Sequence, residues 1–179
     1  MEVQEDIIHK NNLRYVEIVP EFDMPGHTNA ALASYGFLNP NGKKAPLYTG
    51  TDVGFSSFMA HSEKTYEFIK KVGYTQLHVF PYSMRKGTPA ARMVQVDEKI
   101  KHERVNRLIA LSHELNENYA KSQIGKTLRV LFEKEDHGYY VGHGDNYLLI
   151  KVQSDEQLIG QLKNVIIDSY DEMLIGRVV

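Results

Sequence analysis

An α/β fragment followed by a small all-β barrel is the fold this sequence predicts, and three observations carry the prediction. Two short apolar runs, residues 13–19 and 74–80, each stop at a proline and open into a polar loop. One long stretch of helical periodicity, residues 96–123, follows them. After Gly125 the apolar period switches from helical to alternating and stays so to Val179.

Composition sets the outer bounds. A chain of 179 residues holds one medium domain or two small ones. Its 42% hydrophobic and 25% charged content suits a globular protein. With a formal net charge of -2, any contact with nucleic acid has to come from a local basic patch. No apolar run approaches the ~20 residues of a membrane span, and MEVQEDIIHKNN lacks the apolar core of a secretory signal, so a cytoplasmic location is expected. The cysteine count is zero. This chain therefore supplies no disulfide, no cysteine nucleophile and no thiolate ligand for an iron–sulfur cluster.

Residues 1–12 read as a polar lead-in. LRYVEIVP, residues 13–20, is rich in β-branched and aromatic residues and reads as a buried strand. Just past its end stand Glu21, Asp23 and His27, and then Thr28 or Asn29 is placed to cap a short helix over residues 30–35. Residues 36–57, rich in Gly, Pro, Asn, Ser and Thr, read as a long surface loop, disordered where no larger barrel surrounds it. Tyr66, Ile69 and Val72 fall at helical spacing within residues 58–72, with Glu63, Lys64, Lys70 and Lys71 outside, and Gly73 ends that helix. A strand over residues 74–80 should follow. Pro81 closes it, because proline brings no N–H to a ladder. The loop beyond releases Ser83, Arg85 and Thr88 together, hydroxyls and a guanidinium suited to an anion.

Asp97 is the expected N-cap of the long helix, with Ile100, Leu108, Leu111, Leu115 and Tyr119 near one face and Val105 and Ile109 beside it. Lys99, Lys101, Arg104 and Arg107 form a basic stripe in its first half, interleaved with Glu98 and Glu103. Five short strands are predicted after it, at residues 127–133, 139–142, 147–153, 162–168 and 174–179. That number in that length implies a small closed barrel of the oligonucleotide-binding type. Lys126, Arg129, Lys151 and Lys163 are its candidate phosphate contacts. Tyr139, Tyr140, Tyr147 and Phe132 are candidates to stack on unpaired bases, although strand alternation must turn about half of them inward.

Two stretches carry family resemblances. LHVFPYSMRKGTPAARM, residues 77–93, resembles the end of the radical-SAM domain of tRNA methylthiotransferases that modify threonylcarbamoyladenosine beside the anticodon. VGHGDNYLLIKV and LIGQLKNVII resemble their terminal TRAM domain, an RNA-binding module. The resemblance implies tRNA, through its anticodon stem-loop, as partner, and S-adenosylmethionine and iron–sulfur clusters as the family's cofactors. None of these cofactors is expected in this cysteine-free chain, and no metal site is expected either. VEIVPEFDMPGHTNAALASY with APLYTGTDVGFSS resembles the family 20 glycoside hydrolases, the β-N-acetylhexosaminidases. That resemblance assigns Asp23 and His27 to an active site, but the H-x-GGDE motif that carries the family's acid is missing.

Both families are barrels of βα units, so the fold expected is an α/β barrel fragment followed by a small all-β barrel, in an apparent chimera. The divisions are a hexosaminidase-like fragment at 1–69, the end of a radical-SAM-like barrel at 70–95, a linking helix at 96–123 and a TRAM-like barrel at 124–179. Three readings stand side by side. They are an RNA-binding, catalytically incomplete methylthiotransferase fragment, a glycoside hydrolase fragment, and a chimera that folds in part without function. Each candidate site has its plainer counterpart. Asp23 with His27 is a proton-transfer pair or a polar cluster left without its acid. Ser83, Arg85 and Thr88 are a cofactor or phosphate contact or a solvated loop. The basic stripe is a phosphate track or a solvated helix face.

Overall fold

The computed structural model describes residues 23–51 and 57–179. The predicted strand at 13–20, and Glu21 after it, lie outside the described residues. The chain divides into two compact units, Met1–Phe68 and Ile69–Val179.

In the first unit, helix α1 spans Asn29–Ser34. Thr28 holds the N-cap position but makes no capping bond through its side chain. Its hydroxyl donates instead to the Pro25 carbonyl at 3.0 Å, so the expected cap is not formed by that group. Leu32, Leu38 and Phe58 are buried together, with Met24, Ala31, Ala45 and Phe68 against them. The Phe68 ring lies 5.5 Å from those of both Tyr35 and Phe58. Over its described residues 36–51, the loop after α1 is held by more hydrogen bonds than its composition predicts. The Asn29 side chain donates to the Pro46 carbonyl at 3.1 Å and accepts from the Tyr48 N–H at 2.7 Å. Asn39 donates to the Leu32 carbonyl at 2.9 Å. Asn39 thus takes up a carbonyl that the short helix leaves open, while Asn29 of the helix serves backbone groups of the loop.

Helix α2, Glu63–Val72, starts five residues later than residue 58, where it was expected, and ends where Gly73 donates to the Ile69 carbonyl. The strand expected over residues 74–80 does not form. Among the described residues no strand precedes residue 127, so no α/β barrel fragment is built there. A parallel strand exists only with neighbours to complete its ladder, and among the described residues none is in place beside it. The second unit satisfies this segment from a helix instead. The Leu77 N–H donates to Ser112 Oγ at 2.9 Å, and Asn116 donates to the Thr75 carbonyl at 3.2 Å. Phe80 is left 80% exposed.

Helix α3 spans Glu98–Lys121, and Asp97 caps it as expected, accepting from the Lys99 N–H at 2.9 Å. Its burial is concentrated late, at Leu111, Leu115 and Ala120, while Ile100 and Ile109 stay 42% and 40% exposed. The apolar face expected to run from Ile100 is therefore packed only in the second half. After α3 the Gly125 N–H donates to the Ile167 carbonyl at 2.8 Å and ties the helix exit to the sheet.

Five strands then close a barrel, β1 Thr127–Asp136, β2 Tyr139–Gly144, β3 Leu149–Val152, β4 Leu162–Asp171 and β5 Met173–Val178. Around the barrel the order is β1-β2-β3-β5-β4. Only β3 and β5 pair in parallel. Leu128, Val130 and Phe132 alternate inward from β1 and meet Ile150, Val152, Val165, Ile167 and Leu174. Ala120 and Tyr119 bring the end of α3 onto the same core. A barrel this small buries a modest share of its unfolded surface, so that helical contribution is a material part of its core. The β1–β2 connection is a two-residue turn, His137-Gly138, with φ of 49° and 80°. Positive φ at both positions is the hairpin geometry that matches strand twist, and glycine takes its half without strain.

Candidate nucleic-acid interface

Strand parity and two bulges decide which barrel side chains reach solvent. In β1 the inward set Leu128, Val130 and Phe132 leaves Thr127, Arg129 and Leu131 on the outer face. Opposite Phe132 stands Gly142, yet Lys134 pairs with Val141, so Glu133 is the extra, bulged residue. A side chain on such a bulge is re-aimed across the strand. Glu133 Oε2 accepts from His143 Nδ1 at 2.9 Å. The second bulge, on β4, falls at Asp168, whose carboxylate accepts from the guanidinium of Arg177 on β5. Each bulged carboxylate thus holds a basic side chain of the neighbouring strand.

The predicted contact residues separate on this frame. Tyr140 pairs with Val152, which is fully buried, and packs half-buried against the core. Phe132 is 0% exposed and has no surface to offer a base. Tyr139 takes the outer face, where Lys151 Nζ sits 5.5 Å from the centre of its ring. Tyr147 was expected to open a strand. It lies instead in the β2–β3 turn at φ 63°, 68% exposed. Arg129 is exposed, and among the described residues no carboxylate pairs with it or with Lys151. Lys126 is also exposed, its Nζ 3.4 Å from Gln123 Oε1. Lys163 stands opposite the inward Val130 on β4, at the barrel end and half-buried, so it is separated by strand face from Arg129.

Register also reveals a feature that no single strand shows. Leu162 lies opposite Leu131, Leu131 opposite His143, and His143 opposite Leu149. Four outward side chains from β4, β1, β2 and β3 therefore stand in one row. Of the three leucines, Leu131 is 44%, Leu149 41% and Leu162 55% exposed. Sequence reasoning missed this row. Its signal was the alternation itself, extended across strands by the turn positions.

The other candidates are less assembled. His27 Nδ1 and Asp23 Oδ2 are 2.8 Å apart, so the structure brings this pair together, but both side chains are at least half exposed. Among the described residues, no three His, Asp or Glu side chains gather as a metal site. Ser83, Arg85 and Thr88 line one open cleft with Phe80, Pro81, Tyr82 and Ala90. The Thr88 hydroxyl is already engaged, donating to the Arg85 carbonyl at 2.8 Å and accepting from the Ala91 N–H at 3.3 Å to cap a short 3-10 turn, Pro89–Arg92. With no cysteine in the chain, the residues present do not fit a thiolate-held cluster, and no chemistry here runs through one. In the basic stripe, Lys101 is paired with Glu98 at 2.6 Å.

The C-terminal region is similar to methylthiotransferases. The threonylcarbamoyladenosine tRNA methylthiotransferase MtaB of Bacillus subtilis (strain 168) is 46% identical over 108 residues, 57% of this chain and 24% of the relative. A tRNA-2-methylthio-N(6)-dimethylallyladenosine synthase of Alkaliphilus oremlandii is 35% identical over 139 residues, 74% of this chain and 30% of the relative. The ribosomal protein uS12 methylthiotransferase RimO of Carboxydothermus hydrogenoformans is 34% identical over 114 residues, 59% of this chain and 26% of its own. The chain spans about a quarter of the length of the curated relatives it matches. Residues 2–88 match a different family, the catalytic domain of glycosyl hydrolase family 20. A solved N-acetyl-beta-hexosaminidase of Streptomyces plicatus is 54% identical, covering 38% of this chain and 14% of that one, at a TM-score of 0.34 that carries no statement about fold. The chain is composite, similar to one family at its N-terminus and to another in its C-terminal region.

Proposed function

We propose that this chain binds RNA through its C-terminal, TRAM-like barrel, with tRNA and its anticodon stem-loop as the partner, and contributes recognition without methylthiolation chemistry. The observation that carries the reading is the outer face of the barrel, where Tyr139 lies under Lys151 and Arg129 stands free of carboxylates among the described residues. An aromatic face beside unpaired cations is the combination that holds unpaired bases and their phosphates. Relatives named for tRNA modification supply the partner, and a cytoplasmic setting goes with it. The missing cysteines support the absence of cluster chemistry in this polypeptide. Fluorescence anisotropy with an anticodon stem-loop across a salt series tests the reading. Three or four phosphate contacts give a log–log slope of roughly −2 to −3. Arg129→Ala and Lys151→Ala each flatten that slope. No binding at low salt, or binding indifferent to salt, overturns it.

A second reading rests on the Asp23–His27 hydrogen bond and the match over residues 2–88. A histidine oriented by a carboxylate is a proton-transfer device, and glycoside hydrolysis needs in addition an acid at the scissile bond. Turnover of a chromogenic N-acetylglucosaminide that disappears in Asp23→Asn would establish this reading. An intact substrate across the pH range leaves the pair a surface ion pair.

A further inference from the structure

Resting on the RNA-binding reading, we infer that the row Leu162–Leu131–His143–Leu149 on the outer barrel face, set between Arg129 and Lys151, is the platform on which unpaired bases of the RNA lie. Adjacent strands are about 4.8 Å apart, so four strands carry this row over about 14 Å. Arg129 is two residues from Leu131 along β1, and Lys151 is two residues from Leu149 along β3. Each cation is then about 7 Å to one side of the row, Arg129 towards one edge and Lys151 towards the other. A strand of RNA laid along the row has base-sized apolar contacts beneath it and a cation on either flank for its phosphates.

His143 is the one π-face within the row. Its ring is fixed by the Glu133 carboxylate at 2.9 Å, so little side-chain freedom remains to be lost on stacking. Glu133 and Asp145 are the acids nearest the row along β1 and after β2. Glu133 is held by His143, and Asp145 is the cross-strand neighbour of Arg129, its N–H on the Arg129 carbonyl at 3.0 Å, with no ion pair between their side chains. Beyond Lys151, the Tyr139 ring continues the aromatic surface.

Charge and area favour RNA over a protein as occupant. Neither flanking cation forms an ion pair with a carboxylate among the described residues, and a polyanion meets both at once. Four half-exposed side chains fall well short of the roughly 800 Å² per partner that a stable protein interface buries. A duplex does not suit the row, because paired bases keep their faces stacked on one another.

The test uses the full chain and anisotropy against two RNAs of equal length, an unpaired oligonucleotide and a perfect duplex. Wild type should favour the unpaired strand. Leu131→Ser with Leu149→Ser, and separately His143→Ala, should each weaken unpaired-strand binding about tenfold with the salt slope unchanged, as loss of stacking does. All these side chains lie on the surface, and an unchanged melting temperature verifies the fold. If the variants bind as wild type does while Arg129→Ala still flattens the slope, RNA binding stands and this platform is wrong. Equal affinity for the duplex also overturns the platform. If wild type binds neither RNA, the RNA-binding reading falls, and the platform with it. Concentration-dependent self-association abolished by the leucine substitutions would assign the row to a second copy instead and overturn the inference.

Discussion

Tyr139 and Tyr140 are adjacent in sequence and opposite in consequence, which makes them the sharpest pair to perturb. Tyr140 faces inward opposite the fully buried Val152 and packs against the barrel core. Removing a fully buried aromatic costs about 3–5 kcal/mol. A half-buried one forfeits close to half of that, so Tyr140→Ala should destabilise the second unit by roughly 2 kcal/mol. For a domain of this order of size, each kcal/mol moves the melting temperature by about 4–8 °C, giving a drop of roughly 10 °C. Tyr139, half-buried but not packed on the core cluster, contributes a cation–π contact with Lys151 worth about 0.5–1 kcal/mol, so Tyr139→Ala should lower the melting temperature much less. It should instead weaken RNA binding by about 1–3 kcal/mol with the salt slope preserved. Circular dichroism melts read the first quantity and anisotropy the second. A Tyr140→Ala protein that melts normally but binds RNA poorly, or a Tyr139→Ala protein that unfolds, would refute the assignment of faces.

Gly142→Ala should prevent the barrel from closing, because a Cβ there runs into the Leu131 carbonyl oxygen and backbone cannot yield as a side chain does; collapse of amide dispersion in an NMR spectrum is the expected readout. Lys121 is held above its ordinary pKa first by its hydrogen bond to Glu117, 2.7 Å away, so Glu117→Gln should lower the value seen in an NMR titration of the ammonium. Because the folded-state value is the higher one, this pair's small support is present below the ordinary lysine pKa and is lost as pH rises through the raised value. Anaerobic incubation with iron and sulfide should leave no stoichiometric charge-transfer absorbance, since the chain has no thiolate to offer, and a stable cluster spectrum would contradict that.

The barrel was legible because its signals are local. Alternation in TLRVLF and the Asp97 cap each act within a few residues, and both appear where the pattern placed them; the His137-Gly138 turn falls in the gap predicted between the strands at 127–133 and 139–142. What depended on partners was not legible. LHVF has the composition of a strand, but a strand needs a neighbour, and its Leu77 N–H found the hydroxyl of Ser112 instead. The faces of Tyr139 and Tyr140 were hidden by Val141, which looks like a core residue by type. Its outer parity follows only from Gly142 facing Ile150 across the pair with β3, and it is nonetheless only 5% exposed on that face. The row through Leu131 and His143 is a property of register between four strands, and register is written in the bulge at Glu133 as much as in any apolar pattern. Of the candidate sites, Asp23 with His27 was singled out by the resemblance to family 20 glycoside hydrolases, and a bend between them brings the two side chains within a hydrogen bond.

Hydrogen exchange over the full chain, with and without a saturating anticodon stem-loop, tests the central claim most directly. RNA binding by the outer face of the barrel predicts protection gathered on β1, β2 and β3, residues 127–152, and at the start of β4, with the first unit and the start of α3 unchanged. Protection confined to residues 23–51 or to the basic stripe of α3, or none at all, would contradict it.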